Sequence, residues 1–187
     1  MLILASGSPR RKEIFELVKL NFKVEAATID EKTLKYEGPI ESYPAFLSLA
    51  KADNVYQKHT NDTIVAADTI VIINGEVLGK PKDEKEAKIM LKKLADNIHT
   101  VITGVTIKTK DKCLSFSESS EVEFYPLTNQ EIENYIKTKE PMDKAGAYAI
   151  QGVGAKFIKR IEGDFYNVMG LPIARLLHIL DENNIKY

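Results

Sequence analysis

Cysteine is almost absent from this chain. Cys113 is the only one, so no internal disulfide can form and no cysteine metal cluster can exist. Long apolar runs are missing as well, and nothing approaches the ~20 residues of a membrane span. The opening segment lacks the basic stretch and extended apolar core of a signal peptide. A cytoplasmic protein without a membrane partner is expected. There is no excess of positive charge: Lys+Arg is 26, Asp+Glu is 27 and the net charge is -1. That argues against binding of a nucleic-acid polymer, which needs a basic footprint, while leaving room for a local basic pocket. Histidine is confined to His59, His99 and His178, and no HExxH, CxxC or Ser/His/Asp spacing is present. The lack of GxxxxGK[ST] excludes a P-loop. Repeats, low-complexity tracts and Gly/Ser linkers are also lacking, so residues 1–187 read as a single domain.

With 44% hydrophobic and 28% charged residues, the chain can bury a sizeable core and stay soluble. Its first twelve residues are the most informative. Leu2–Ala5 reads as a buried strand, Ser6-Gly7-Ser8 as a tight loop, and Pro9 as the first residue of a helix spanning 9–20. Arg10 and Arg11 then fall in the first helical turn. Cations there oppose the helix dipole but are well placed to grip a phosphate chain bidentately.

Further along, Phe22–Ala26 is a short strand, 28–40 a polar loop carrying Asp30-Glu31, and 41–58 a helix despite Pro44. Thr63–Ala67 is a strand running into Asp68-Thr69. Ile70–Ile73 and Glu76–Leu78 flank Asn74-Gly75, a strong hairpin signal. Residues 83–95 form an amphipathic helix. Ile98–Lys108 and Cys113–Tyr125 pair as a hairpin, and Thr128 with Glu131 opens a helix over 128–138 through a capping box. Residues 141–155 are an ordered Gly/Ala-rich loop, Lys156–Ile161 is a strand, and Gly170-Leu171-Pro172 opens the last helix. Strands and helices alternate but hairpins interrupt them, which predicts an α/β fold with a mixed twisted sheet and flanking helices.

Asp68, at the end of an apolar strand, stands where open α/β folds place ligand sites, and suits metal binding or general-base work; a solvated strand-end aspartate is the plainer alternative. Glu31 could supply a second hard oxygen ligand beside it. Lys80, in the rigid Gly79-Lys80-Pro81 turn, is a flexible point charge of the kind that meets phosphate, although loop lysines are ordinarily just solvated. Lys51 either snorkels from an apolar helix face or points into a cleft. His99 reads as a structural residue. Gln151 offers a donor and an acceptor, as reading a nucleobase edge requires, and the small residues around Tyr148 permit close backbone approach.

Together these segments resemble the Maf family of nucleoside triphosphate pyrophosphatases, also called septum-formation proteins. The matching motifs run in order along nearly the whole chain. They are Ser6-Gly7-Ser8-Pro9-Arg10-Arg11, the loop Glu31, Lys51-Ala52, Ala67-Asp68-Thr69, Gly79-Lys80-Pro81, His99 to Gly104, Asp143 to Tyr148, and Gly163 to Pro172. Serine stands at 120 where the family strand pattern has threonine, and Asp96-Asn97-Ile98 precedes His99 where the family often has a basic residue. The resemblance implies two lobes around a deep cleft, like the inosine-triphosphate pyrophosphatases. It implies hydrolysis of a nucleoside triphosphate to the monophosphate and pyrophosphate with Mg2+ or Mn2+, and a possible homodimer.

Ala147-Tyr148-Ala149-Ile150-Gln151-Gly152 resembles the dTTP/UTP branch of that family rather than the branch acting on 7-methyl-GTP. On this resemblance Ser8, Arg10, Arg11, Lys51 and Lys80 hold the triphosphate. Glu31 and Asp68 bind the metal, Asp68 accepts a proton from the attacking water, and Arg10, Thr69 and Gln151 select the substrate. The cellular task would be removal of modified pyrimidine nucleotides. Three rivals remain at this level: a nucleotide-binding cell-division regulator without turnover, a purine pyrophosphatase of the inosine-triphosphate type, and a generic α/β binding domain, which would leave Arg10-Arg11 at a helix start unexplained.

Overall fold

Leu2, Ile3 and Leu4 are all buried, as a strand covered on both faces must be. In the computed structural model, which describes residues 1–187, they form β1 (Leu2–Leu4), flanked by two parallel partners, β2 (Phe22–Val24) and β3 (Thr63–Ile73). A seven-stranded mixed sheet has the order β2-β1-β3-β5-β6-β7, where β5 is Ile98–Lys108, β6 Cys113–Phe124 and β7 Ile158–Glu162; β4 (Glu76–Leu78) pairs antiparallel with β3. The predicted mixed α/β class is therefore what forms. No helix is long and apolar enough to cross a membrane.

The chain divides into two compact units. The first comprises Met1–Asp68, Thr103–Glu118 and Gly170–Tyr187, and the second Thr69–Ile102 and Ser119–Met169. In the first, helix α1 (Pro9–Leu17) buries Ile14 and Phe15. It stops short of residue 20 because Lys19 adopts a left-handed φ of 56°. Helix α2 (Tyr43–Tyr56) tolerates Pro44 because the first turn has no use for its missing N–H. This helix lies so close to β5 that a Cβ at Gly104 would collide with the backbone of Pro44 and Ala45. The buried Ser48 hydroxyl binds Thr106 Oγ1 at 2.8 Å, and Thr106 binds Ser115 Oγ at 2.8 Å, so a chain of hydroxyls fixes α2 over β5 and β6. Ala52 and Val55 of α2 join Ile3, Ala5, Ile64 and Ala66 in this unit's core.

In the second unit, Asn74 (φ 51°) and Gly75 (φ 77°) make the left-handed pair of a type I′ turn. Helix α3 (Glu84–Leu94) is N-capped by Asp83, and α4 (Asn129–Lys137) by the expected Thr128–Glu131 capping box. Their apolar faces, with Val71, Leu78, Val101, Phe124, Tyr148 and Phe157, form a second core. Two readings are corrected. The strand expected to end at Ala67 is continuous through Asp68 and Thr69 to Ile73, since a half-buried β-branched threonine extends a strand rather than breaking it. Helix α5 (Phe165–Met169), which precedes α6 (Ile173–Glu182), was not anticipated; its signal is Asp164, whose Oδ1 accepts the Tyr166 N–H at 2.8 Å.

His99 is a core residue. It is 2% exposed, and its Nε2 meets the Tyr148 hydroxyl at 2.9 Å while its ring stands edge-on to Phe124 and Tyr148. Its Nδ1 has no partner, and burial pushes its pKa down to about 4. A base whose folded pKa lies below its unfolded one binds fewer protons when folded. Stability is therefore unaffected above the unfolded value near 6.5 and falls as pH drops through the window down to about 4. Denaturant titrations should register a loss of about 3 kcal/mol across that window. In His99→Gln, which keeps a donor and an acceptor but cannot titrate, the loss over the same interval should largely vanish.

Candidate active site

The first unit's polar centre is built where β1 ends. Leu4 pairs with Val65, and β3 continues past that point to present Asp68. Beyond β1 the chain turns through Ser6, which is buried, and its hydroxyl accepts the Ser8 N–H and the Arg11 Nη1 hydrogen, each at 3.2 Å. Arg11 Nε donates to the Gly170 carbonyl at 2.8 Å. Desolvation by burial lowers the Arg11 pKa and Arg10 adds to that, while Asp68 and Glu31 raise it; the guanidinium stays charged. Ser8 is the N-cap residue of α1 but its hydroxyl makes no capping bond, and no acid lies in the first turn. A helix N-terminus that carries a serine hydroxyl and two arginines is suited to a polyanion.

Lys51 projects from α2 between two carboxylates. Its Nζ lies 2.6 Å from Asp68 Oδ1 and 2.8 Å from Glu31 Oε1. The Lys51 and Asp68 side chains are only 14% and 15% exposed, whereas Glu31 is 47% exposed. Lys51 thus ends on two carboxylates rather than in solvent. Glu31 opens a 3₁₀ turn capped by Asp30, which accepts the Lys32 N–H at 3.1 Å.

Tyr43, at the start of α2, was not anticipated. Burial raises its pKa first, and the negative charge of Asp68 and Glu31 raises it further against the opposing Lys51. Its hydroxyl therefore stays neutral in the field of the two carboxylates. It packs in an aromatic cluster, with Tyr36 5.4 Å from Tyr43 and 4.9 Å from Phe46 between ring centroids.

The remaining candidates belong to the second unit. Thr69 follows Asp68 along β3. Lys80 is exposed just after β4, and Gln151 is exposed on the segment 143–152. The Gly146 N–H donates to the Gly79 carbonyl at 3.1 Å, so the Lys80 turn and the Gln151 segment are tied together. Gly146 needs its freedom: φ is 70° and a Cβ would lie 3.0 Å from Val71 Cγ2.

Asp68 and Glu31 each engage Lys51 through one oxygen. No group of three or more His, Cys, Asp or Glu side chains converges to hold a metal. This donor set fits magnesium, which commonly takes one or two carboxylates and completes its shell with water and substrate phosphate oxygens.

Arg11, Lys51, Asp68 and Glu31 thus come together at the end of β1 in a mixed α/β sheet, a charge pattern suited to a polyanion. The chain belongs to the Maf family: the Maf-like protein model matches residues 1–183. It is 49% identical over 180 residues to a dTTP/UTP pyrophosphatase of Bacillus cytotoxicus, spanning 96% of this chain and 94% of the relative. To a dTTP/UTP pyrophosphatase of Acholeplasma laidlawii it is 48% identical over 185 residues, 99% of this chain and 97% of the relative. A HAM1 protein structure from Coxiella burnetii superposes with a TM-score of 0.55 at 17% identity, covering 97% of this chain and 98% of that one, a likeness of fold.

Removing Lys51 leaves two carboxylates facing each other in a partly desolvated place. Lys51→Met should lower unfolding free energy by about 2 kcal/mol in urea titrations, less than for a fully buried pair because solvent reaches Glu31.

Proposed function

We propose that this protein is a nucleoside triphosphate pyrophosphatase that converts dTTP and UTP, and modified pyrimidine nucleotides of the same class, to the monophosphate and pyrophosphate. The observation that carries the reading is the Lys51 bridge to Asp68 and Glu31 beside Arg11, in a family whose near-full-length relatives are named for this activity. Ser8, Arg10, Arg11, Lys51 and Lys80 bind the triphosphate. Asp68 and Glu31 hold a magnesium or manganese ion, which when bound neutralises phosphate charge and polarises the α-phosphoryl group. Asp68 takes a proton from water as its oxygen bonds to the α-phosphorus, and the bond from that phosphorus to the β-phosphate's bridging oxygen breaks in line. Lys51 orients the carboxylate, and the cations offset the charge on departing pyrophosphate. Thr69 and Gln151 recognise the pyrimidine, with Arg10 assisting selection. The protein acts in the cytoplasm on free nucleotides.

The direct test is pyrophosphate release from dTTP, UTP, CTP, dATP, GTP, ITP and 7-methyl-GTP, with magnesium and with chelator. Metal-dependent release from dTTP and UTP is expected. Release from purines alone would keep the chemistry and replace the specificity, and binding without release would make the protein a nucleotide-binding regulator. Asp68→Asn should lower kcat by about 10³-fold in a protein that still folds; near-normal turnover would remove Asp68 from the proton transfer. Arg11→Ala should weaken binding of a non-hydrolysable triphosphate by about tenfold or more in calorimetry, as expected for losing a charged donor.

A further inference from the structure

The second unit contains a carboxylate that the reaction does not use. Glu140, which follows α4 after the left-handed Lys139 (φ 63°), sits at the centre of a set of donors. Its Oε2 accepts the Val153 N–H at 3.0 Å, and its Oε1 accepts the Gly154 N–H at 3.0 Å and the Tyr135 hydroxyl at 2.8 Å. Tyr135 is 1% exposed, and its oxygen in turn accepts the Ala149 N–H at 3.1 Å. Backbone amides on both sides of Gln151, at 149 and at 153 and 154, are therefore held by one tyrosine–glutamate pair.

The glycines of this loop are what allow that grip. Gly152 has φ 116° and ψ -153°, a conformation essentially confined to glycine, and a Cβ there would lie 2.5 Å from Glu140 Oε2. A Cβ on Gly154 would lie 2.7 Å from both the Ala149 carbonyl and the Tyr135 hydroxyl. The chain thus folds tightly around the carboxylate, while Ala149 and Ile150 are buried and Gln151 is turned out to solvent. Burial disfavours the Glu140 anion, yet the Val153 and Gly154 amides and the Tyr135 hydroxyl outweigh it and hold the pKa below the ordinary glutamate value. At neutral pH the group is a pure acceptor, as facing three donors demands.

We infer that Glu140 is a positioning residue for substrate selection, fixing through the Val153, Gly154 and Tyr135 bonds the loop that presents Gln151 to the base. The inference rests on the reading of Gln151 as the base-recognising residue. Glu140 touches neither nucleotide nor metal; it fixes the backbone from which Gln151 projects. A side chain that selects by hydrogen bonding depends on placement, because a small displacement costs recognition of the right base before it costs chemistry.

The test compares wild type, Glu140→Gln, Tyr135→Phe and Gln151→Ala, each checked for folding by thermal melting. Pyrophosphate-release kinetics on dTTP and GTP are joined to amide hydrogen exchange at Val153 and Gly154. In Glu140→Gln an NH2 group replaces one acceptor, so donor faces donor. Faster exchange at residues 153 and 154 is expected, with KM for dTTP raised about tenfold, kcat within about twofold, and the preference for dTTP over GTP reduced by a similar factor. Tyr135→Phe should shift KM in the same direction by less, which keeps the test open should Glu140→Gln fold poorly. If exchange quickens but KM and preference stay at wild-type values while Gln151→Ala loses both, the role of Glu140 is overturned and the reading of Gln151 stands. If Gln151→Ala also keeps them, the base-recognition reading falls and takes this inference with it. A fall in kcat at unchanged KM in Glu140→Gln would equally overturn the inference, since it would put the effect on chemistry rather than on selection.

Discussion

One ammonium group between two carboxylates organises the first unit. An isolated surface ion pair contributes little, because ordering two long side chains offsets the attraction. Lys51 differs in being largely withdrawn from solvent and in serving both Asp68 and Glu31, so its ordering is shared between two contacts. Glu31 depends on it most. That residue sits in a single 3₁₀ turn within a long connection whose side chains are otherwise mostly exposed, and the lysine is its anchor to a buried strand. The bridge in turn constrains the fold: α2 must approach the sheet closely enough for Lys51 to reach β3. Gly104, bare beneath Pro44 and Ala45, and the Ser48–Thr106–Ser115 hydroxyl chain set that approach. A glycine far from any chemistry in sequence is thus a condition for placing a charge.

The second unit solves a different problem with the same economy. The segment 143–154 carries little secondary structure, only short 3₁₀ turns, so its backbone groups need partners from elsewhere. Gly79 supplies a carbonyl, and Tyr135 and Glu140 receive the amides. Below it, His99 is held neutral by burial and supports the Tyr148 hydroxyl. The loop is thereby fixed by polar contacts at several points, while Ala147, Tyr148, Ala149 and Ile150 sink into the core. Fixing a loop by hydrogen bonds to its backbone, rather than through its own exposed side chains, leaves those side chains available for recognition.

Much of this was legible in the sequence, and the limits are physical. The Asn74-Gly75 turn, the Thr128–Glu131 box and Pro9 at a helix start are local signals whose cause lies within a few residues, and each forms as read. The strand through Asp68 was cut short because a charged residue in an apolar run resembles an end; whether it is one depends on the partner across the strand, which composition does not carry. Lys51 was ambiguous for the same reason, since its role is decided by carboxylates 17 and 20 positions away. Tyr43 and Glu140 were missed altogether. Nothing in their immediate neighbours marks them, as their partners are the field of distant acids in one case and the amides of a remote loop in the other.

The division of the chain bears on how such a protein can change its substrate. The groups proposed for proton transfer and metal holding, Asp68 and Glu31, and those for most of the phosphate cradle, lie in the first unit, whereas Gln151 and its supports lie in the second; the boundary falls between Asp68 and Thr69. Each unit has its own apolar cluster. Substitutions in the 143–154 loop are therefore paid for within the second unit's core and need not disturb the Lys51 bridge. Mutations at separate sites without shared partners are close to additive in free energy. On the proposed function, base preference can then drift without loss of hydrolytic capacity, provided the acceptors at Tyr135 and Glu140 continue to match whatever loop they hold. The loop's sequence and its supporting pair must change together, because an unmatched amide next to a partly buried carboxylate costs more than a lost contact at the surface.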